Sequence, residues 1–342
     1  MWQFFSYCEM SGLGKCVKKY GGKLNMVDLK IQLPDGFLDE EVRCGYTVTR
    51  QRKEVWAVEL DLMQEFKRVC NKYNLRYCAD GGTLLGAIRH HGFIPWDDDL
   101  DIAMLRNDFE KLNEVGPTEF KKPYFWQTEE TDRGSARGHA QLRNSDTAGI
   151  IKTEYERQRN NNFNQGIFID IFPFDTVIDD KEKLAKQDLK RIELFTKYRE
   201  MLDSGDFFCF MPWIDENGKK HFNLKKIIRH FKHRLLNESY VNIYNQFINE
   251  ITKYDDINDS EYVADLCMPL SLNRIRRFRS DFDNLKEIDF EFLKIPAFAN
   301  YDRNLRMLYG DDYMKPINTN SEHGRLILDT DKSYVWYLEK RK

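Results

Sequence analysis

No apolar run in this chain approaches the length that crosses a bilayer, about 20 residues in a helix. Its first residues, MWQFFSYCEMSG, include Glu9 and no unbroken apolar stretch, so they do not read as a secretory signal. Paired cysteines are missing as well. The seven cysteines (8, 16, 44, 70, 78, 209 and 267) are scattered with no Cys-x-x-Cys pair, which argues against a zinc site or disulfide scaffold and favours a reducing compartment. Net charge is nearly absent, 53 Lys and Arg against 56 Asp and Glu, or −3. The chain thus lacks the basic footprint of a general nucleic-acid binder, and nucleic acid is not an expected partner. What these absences leave is a soluble, cytoplasmic protein, or one attached at most to the inner face of a membrane.

What is present suffices for a packed core: 342 residues, 41% hydrophobic and 14% aromatic, enough for two domains or one with a large appendage. Residues 1–45, with the turn signals YGGK and LPDG, read as an irregular N-terminal extension. SGLGK at 11–15 lacks the spacing of a phosphate loop. From Arg50 to Tyr73, apolar residues at Val55, Val58, Leu62, Phe66, Val69 and Tyr73 trace one helix face. LRYCA (75–79) is a short strand broken by DGG, Thr83–Arg89 a short helix, and DLDIAML (99–105) alternates as a strand. FKKPYFWQ and HAQLR are further strand candidates. GIFIDIFPF (166–174) reads as a buried central strand closed by Pro173.

The second half is helix-rich. Lys181–Leu202 and Leu224–Tyr254 carry helical periodicity on either side of a hairpin turn at DENGKK. FEFLKIPAF is one more strand, and a helix at 301–309 ends at Gly310. The expected fold class is α+β: a mixed sheet with packed helices over 46–180, and a helix-rich region, 181–342, completing the substrate site.

Acids interrupt two of these strands. Residues two apart share a strand face at roughly 6.5–7 Å, so Asp97, Asp99 and Asp101 line one face if the strand already begins at 97. Two bare carboxylates at that separation repel by roughly 2–3 kcal/mol at an effective dielectric of about 20. An acidic run alone is usually a solvated turn. Here, however, Asp101 lies among apolar neighbours, and a second isolated acid, Asp170, occupies the middle of GIFIDIFPF. A buried unpartnered Asp is costly. Two strands donating acids to one cation is the economical explanation, and magnesium, with manganese as its substitute, is the ion that oxygen ligands favour. The turn DGGTLLG follows a strand and opens a helix, where backbone N–H groups approach a phosphate closely. Gly81, Gly82 and Thr83 are therefore substrate-binding candidates.

At this point the residues resemble a known group. Gly81-Gly82-Thr83, then Asp99-Leu100-Asp101 and the later Asp170, resemble nucleotidyltransferases with a polymerase-β-like core. GTLLGAIRHHGFIPWDDDLDIAM is similar, nearly residue for residue, to the hallmark of the LicD family, whose grammar fukutin-related proteins share. VWAVELDLMQEFKRVCNKYNLRY, GIFIDIFPFD and NYDRNLRMLYGDDYMKP with His323 behind it also resemble that family; the likeness runs from about residue 45 to 325 and is weakest at 180–265. The resemblance implies transfer of a phosphocholine, phosphoribitol or similar group from a CDP-linked alcohol to a sugar hydroxyl of a surface glycan or its lipid-linked precursor, releasing CMP. Under it, Asp99 and Asp101, with Asp97, hold the metal. Asp170 either completes the metal shell or accepts the acceptor's proton, the base role being the one we favour. Arg89 and His90, just past the glycine turn, are candidates for the phosphates or leaving group, weighed against an exposed RHHG loop. Arg143 in QLRNSDT is a further phosphate candidate, weighed against a surface arginine. His323 matches the family's C-terminal histidine, although a lone His is more often structural.

LKKIIRHFKHRLL (224–236) sets Lys225, Lys226, Arg229, Lys232 and Arg234 beside Leu224, Ile227, Ile228, Phe231 and Leu235. Such a helix either lies on anionic lipid or, as charged faces usually do, packs its apolar side and solvates the rest. Two other functions stay open at this stage: nucleotidyl transfer from a nucleoside triphosphate to a small molecule, and a catalytically inactive glycan-binding module.

Overall fold

A computed structural model describes residues 26–151, 163–204, 213–214, 220–222, 224–235, 239–257, 259–317 and 326–339. The described part of the N-terminal extension is tied to the core. Strands β1 (Glu41–Arg43) and β2 (Tyr46–Val48) pair as an antiparallel hairpin that crosses the boundary expected at residue 45. Val27, Leu29, Ile31 and Phe37 pack on the main core, and Arg43 grips Glu291 through two hydrogen bonds of 2.5 and 2.9 Å.

Helix α1 (Arg50–Tyr73) has the bounds its periodicity predicts. Thr49 caps it by accepting the Arg52 N–H, and Asn74 ends it in left-handed backbone at φ 53°. Val55, Val58, Leu62, Phe66 and Val69 are at most 1% exposed. After β3 (Cys78–Ala79) and α2 (Gly81–His90) comes β4 (Asp101–Leu105), which starts later than the alternation suggested. The reason lies in α1: Arg52 and the Trp56 indole N–H both donate to the Asp97 carbonyl, at 3.0 and 3.1 Å, pinning the chain there in a loop. Helix α3 (Arg106–Glu119) and strands β5 (Tyr124–Gln127), β6 (Ala140–Asn144), β7 (Ala148–Ile151) and β8 (Ile167–Val177) follow.

Strand β8 is the spine of a seven-stranded mixed sheet. Along one edge it runs parallel to β4; along the other, residues 167–171 pair antiparallel with β6 and 175–177 with β11 (Tyr262–Ala264). Pro173 does not close this strand, contrary to the sequence reading. Asp170 donates its N–H to Leu100, so by alternation the missing donor of Pro173 faces the opposite edge, in the gap between β6 and β11 where no ladder bond is needed.

Beyond β8, α4 (Lys181–Ser204) is followed by the antiparallel pair β9 (Trp213–Ile214) and β10 (Lys220–His221); residues 215–219, most of the DENGKK turn, lie outside the described residues. The stretch 224–254 is two helices rather than one, α5 (Leu224–Leu235) and α6 (Tyr240–Ile251), because Ser239 caps the second by accepting the Val241 N–H. After β11, the turn Leu272–Ile275 leads into β12 (Arg276–Phe278), which pairs with β11 and extends the main sheet. The 181–342 region therefore shares the sheet of the first half. FEFLKIPAF is likewise not one strand: Glu291, at φ 52°, turns the chain between β13 (Leu285–Phe290) and β14 (Leu293–Phe298). Its carboxylate is held there by Arg43 and the Phe93 N–H. Helix α7 (Tyr301–Tyr309) ends at Gly310, φ 82°, as expected, and β15 (Leu326–Asp329), paired with β7, precedes α8 (Tyr334–Glu339).

One core lies between the sheet and α1; a second joins α4, α6 and β11 through Leu194, Tyr198, Phe247 and Leu266.

Candidate metal and substrate site

The register of the β4–β8 pair brings two acids side by side. Asp101 and Asp170 are direct partners across the parallel ladder, and Asp99 lies two residues ahead of Asp101. One carboxylate oxygen from each of Asp99, Asp101 and Asp170 lies within 4.8 Å of the others. Like charges directly opposite one another weaken a sheet. Burial, and then the charges of Asp101, Asp97 and Asp170, push the Asp99 carboxyl well above the ordinary carboxylate range. Asp170 goes the other way: burial raises it, but the hydrogen bond and charge of His139 and the amide of Gln141 outweigh that and hold it below its usual range.

Asp97 and Asp98 do not join this trio. Asp98 turns inward to Arg52 at 3.1 Å and is buried. Beneath it, Glu59 on α1 is driven well above the carboxylate range by burial and by Asp98. Asp97 lies against the glycine turn, where a Cβ on Gly82 would stand 2.9 Å from its Oδ2. Gly81, at φ 53°, meets Asp101 in the same way at 2.8 Å. The turn is glycine because acids crowd it on both sides.

The Thr83 hydroxyl accepts the Asp101 N–H at 2.7 Å, so Thr83 is buried and locks α2 to the start of β4 instead of facing substrate. Asp80, just ahead of the turn, takes a bidentate bond from buried Arg277 at 2.8 and 2.9 Å, fixing the other end of that lock.

Two cavities, each roughly 360 Å³, open on the acids and share one wall made of Gly82, Asp99, Asp101 and Tyr309. The first continues past Arg89, Trp96, Asp97, Tyr313 and Lys315. The second continues past His139, Asp170, Phe172, Asp265, Arg274 and Arg277. Burial and the facing Asp101 and Asp80 push the Tyr309 hydroxyl up, so it stays protonated as a donor.

Arg89 lines the first cavity, with its guanidinium also bracing the Tyr313 and Lys315 carbonyls. His90 does not line either cavity: its Nε2 accepts from Arg89 Nε at 2.8 Å and its Nδ1 faces Cys44 at 3.6 Å. Burial, then Arg89, lowers its pKa to about 4, leaving a neutral ring with an occupied face. Arg143 is not the surface arginine that the sequence reading weighed, and it lines neither of these two cavities. It is 1% exposed, donating to Gln127 Oε1 and the Gly166 carbonyl at 2.5 and 2.6 Å, and to Gln141 Oε1. His323 lies outside the described residues.

Sequence reasoning missed His139, whose Nε2 is 3.2 Å from Asp170 Oδ1, and Gln141, which donates to the same oxygen at 2.7 Å. A signal was there. His139 just ahead of β6, then Gln141 and Arg143 within it, recur every second residue, a polar stripe alternating with Ala140 and Leu142. Arg277 and Asp265 carried none, because only the fold brings β11 and β12 to the acids.

Comparison with known proteins finds relatives for this chain. Residues 74–199 match the family described as LicD/FKTN/FKRP, nucleotidyltransferase domain. The chain is similar to the lipopolysaccharide cholinephosphotransferase LicD of Haemophilus influenzae, 25% identical over 264 residues, covering 77% of this chain and 91% of that protein. It also matches the uncharacterized protein RP689 of Rickettsia prowazekii, 45% identical over 56 residues, 16% of this chain and 21% of that one. These likenesses support a transferase of phosphate-containing groups. The chain is similar to the LicD phosphotransferase family over residues 74–199, and to one LicD protein over most of its length.

Proposed function

We propose that this protein transfers a phosphocholine or similar phospho-alcohol from a CDP-linked donor to a sugar hydroxyl of a cell-surface glycan or its lipid-linked precursor, releasing CMP. The observation that carries the reading is the shared wall. Two cavities that meet only at Gly82, Asp99, Asp101 and Tyr309 suit two substrates that must touch at one phosphorus. The name of the Haemophilus relative supports phosphocholine and a lipopolysaccharide acceptor. The arrangement of a glycine turn opening a helix, a carboxylate pair and a third acid one strand away supports a polymerase-β-like core.

The donor set fits magnesium or manganese: three carboxylate oxygens, all hard ligands, from Asp99, Asp101 and Asp170. When bound, such an ion neutralises diphosphate oxygens and polarises the phosphorus. The chain's own groups do the rest. The N-terminus of α2 at Gly82 points its backbone dipole at the phosphates. Arg89 and Lys315 bring positive charge to the first cavity, and Tyr309 donates from between the two. The acceptor oxygen forms its bond to phosphorus as the bond to CMP breaks, in line. Asp170 is a ligand in this reading and not the base, because it sits inside the trio with one oxygen engaged by Gln141 and His139. The acceptor's proton goes to Asp97, which lines the first cavity outside the trio.

Incubation with magnesium, CDP-choline and a lipopolysaccharide acceptor should release CMP, whereas CTP with small alcohols should release no pyrophosphate. Pyrophosphate without CMP would make the protein a nucleotidyltransferase, and neither product would leave a binding module. Asp99→Asn and Asp101→Asn should each abolish turnover while circular dichroism stays unchanged; full activity in both would end the proposal.

A further inference from the structure

Helix α5 presents its apolar side outward. Leu224, Ile228, Phe231 and Leu235, spaced four, three and four apart and therefore on one face, are 68, 62, 50 and 86% exposed, and Phe222 just ahead is 59% exposed. An amphipathic helix ordinarily turns its apolar side inward; here that side faces outward. Lys225 and Lys232 are exposed and two turns apart, on one flank of that stripe. Across 224–235 the sequence holds five Lys and Arg and no acid, in a chain whose overall charge is −3. The positive charge is therefore concentrated where the apolar surface is.

We infer that α5 is a docking surface for an anionic phospholipid bilayer, lying in the plane of the headgroups with its leucine, isoleucine and phenylalanine side chains among the upper acyl chains. Twelve residues make a helix of about 18 Å, too short to span a hydrocarbon core of about 30 Å but suited to lying along it. Lysines flanking an apolar stripe keep their stems in the apolar layer and their ammonium groups at the phosphates. A second copy of the helix is a poorer occupant, because a segment with five Lys and Arg and no acid would meet its like. The surface stands whichever phosphate-containing group the acid site transfers. It also gives that site a bearing on a membrane-borne acceptor.

The test is sedimentation of the full chain with vesicles of phosphatidylcholine alone or mixed with phosphatidylglycerol. The chain should be retained on the mixed vesicles, released by salt, and not retained on phosphatidylcholine alone. Lys225→Glu with Lys232→Glu should weaken binding by at least about fivefold per lysine, and Ile228→Ser with Phe231→Ser should abolish it. Both double variants should keep the wild-type circular dichroism spectrum and melting temperature, showing that they fold. Absence of retention on either vesicle would overturn the inference, as would retention that neither variant alters. A dimer in sedimentation velocity that Ile228→Ser with Phe231→Ser dissociates would assign the face to a second copy instead.

Discussion

Individual residues in the site are held by partners that leave them little freedom, and Arg143 is the extreme case. Its guanidinium reaches three oxygens at once, and by taking Gln141 Oε1 it turns the Gln141 amide nitrogen toward Asp170. A lysine cannot reproduce that fork. Arg143→Lys should lower the unfolding free energy by about 1–3 kcal/mol in urea titration and reduce turnover, although the residue touches neither cavity. His90 gives a pH signature. Its folded pKa, about 4, lies below the ordinary 6.5, so the unfolded chain binds more protons between those values and stability falls as pH drops through that window. His90→Gln, which keeps an acceptor for Arg89, should flatten the decline in melting temperature from pH 6.5 to 4. An unchanged slope would mean that His90 is not the group responsible. Asp101 and Asp170 were legible as acids among apolar strand residues, a pattern that stands out in one dimension, and Asp99 as the acid two residues ahead of Asp101. His139 and Gln141 were not picked out, because a polar stripe on a short strand carries no sign of which acid it will face.

At the scale of elements, the glycine turn and the acidic loop depend on each other. Gly81 has left-handed backbone, costing an L-residue about 1–2 kcal/mol, and its missing Cβ leaves room for Asp101. Gly81→Ala should therefore displace a member of the trio and weaken magnesium binding, whereas Gly82→Ala displaces Asp97, outside the trio, and should lower turnover more than metal affinity. Titration calorimetry beside steady-state kinetics separates the two. The elements legible from periodicity were those whose ends carry their own signals: α1 between Thr49 and Asn74, and α7 before Gly310. Strands β11 and β12 escaped because three residues carry no period, and Pro173 misled because a proline ends a strand only when its missing donor faces a partner. The 224–254 periodicity was real on both sides of a break that only the cap at Ser239 marks.

For the whole molecule, the sheet is assembled around a set of like charges that it would otherwise resist. Its halves are not independent, since β8 joins β6 from the first and β11 from the second across one strand. Neutralising the trio should therefore stabilise the entire fold. At a hundredfold excess over its dissociation constant, magnesium adds about 2.7 kcal/mol, seen as a higher melting temperature that EDTA reverses. Asp101→Asn, which removes one of the opposed charges, should melt above the wild-type protein without metal and gain little when magnesium is added. The central claim is that one divalent cation sits among Asp99, Asp101 and Asp170, and anomalous diffraction from crystals soaked in manganese tests it most directly. The account predicts a peak within bonding distance of an oxygen from each of the three residues; an absent peak, or one away from Asp170, would contradict it.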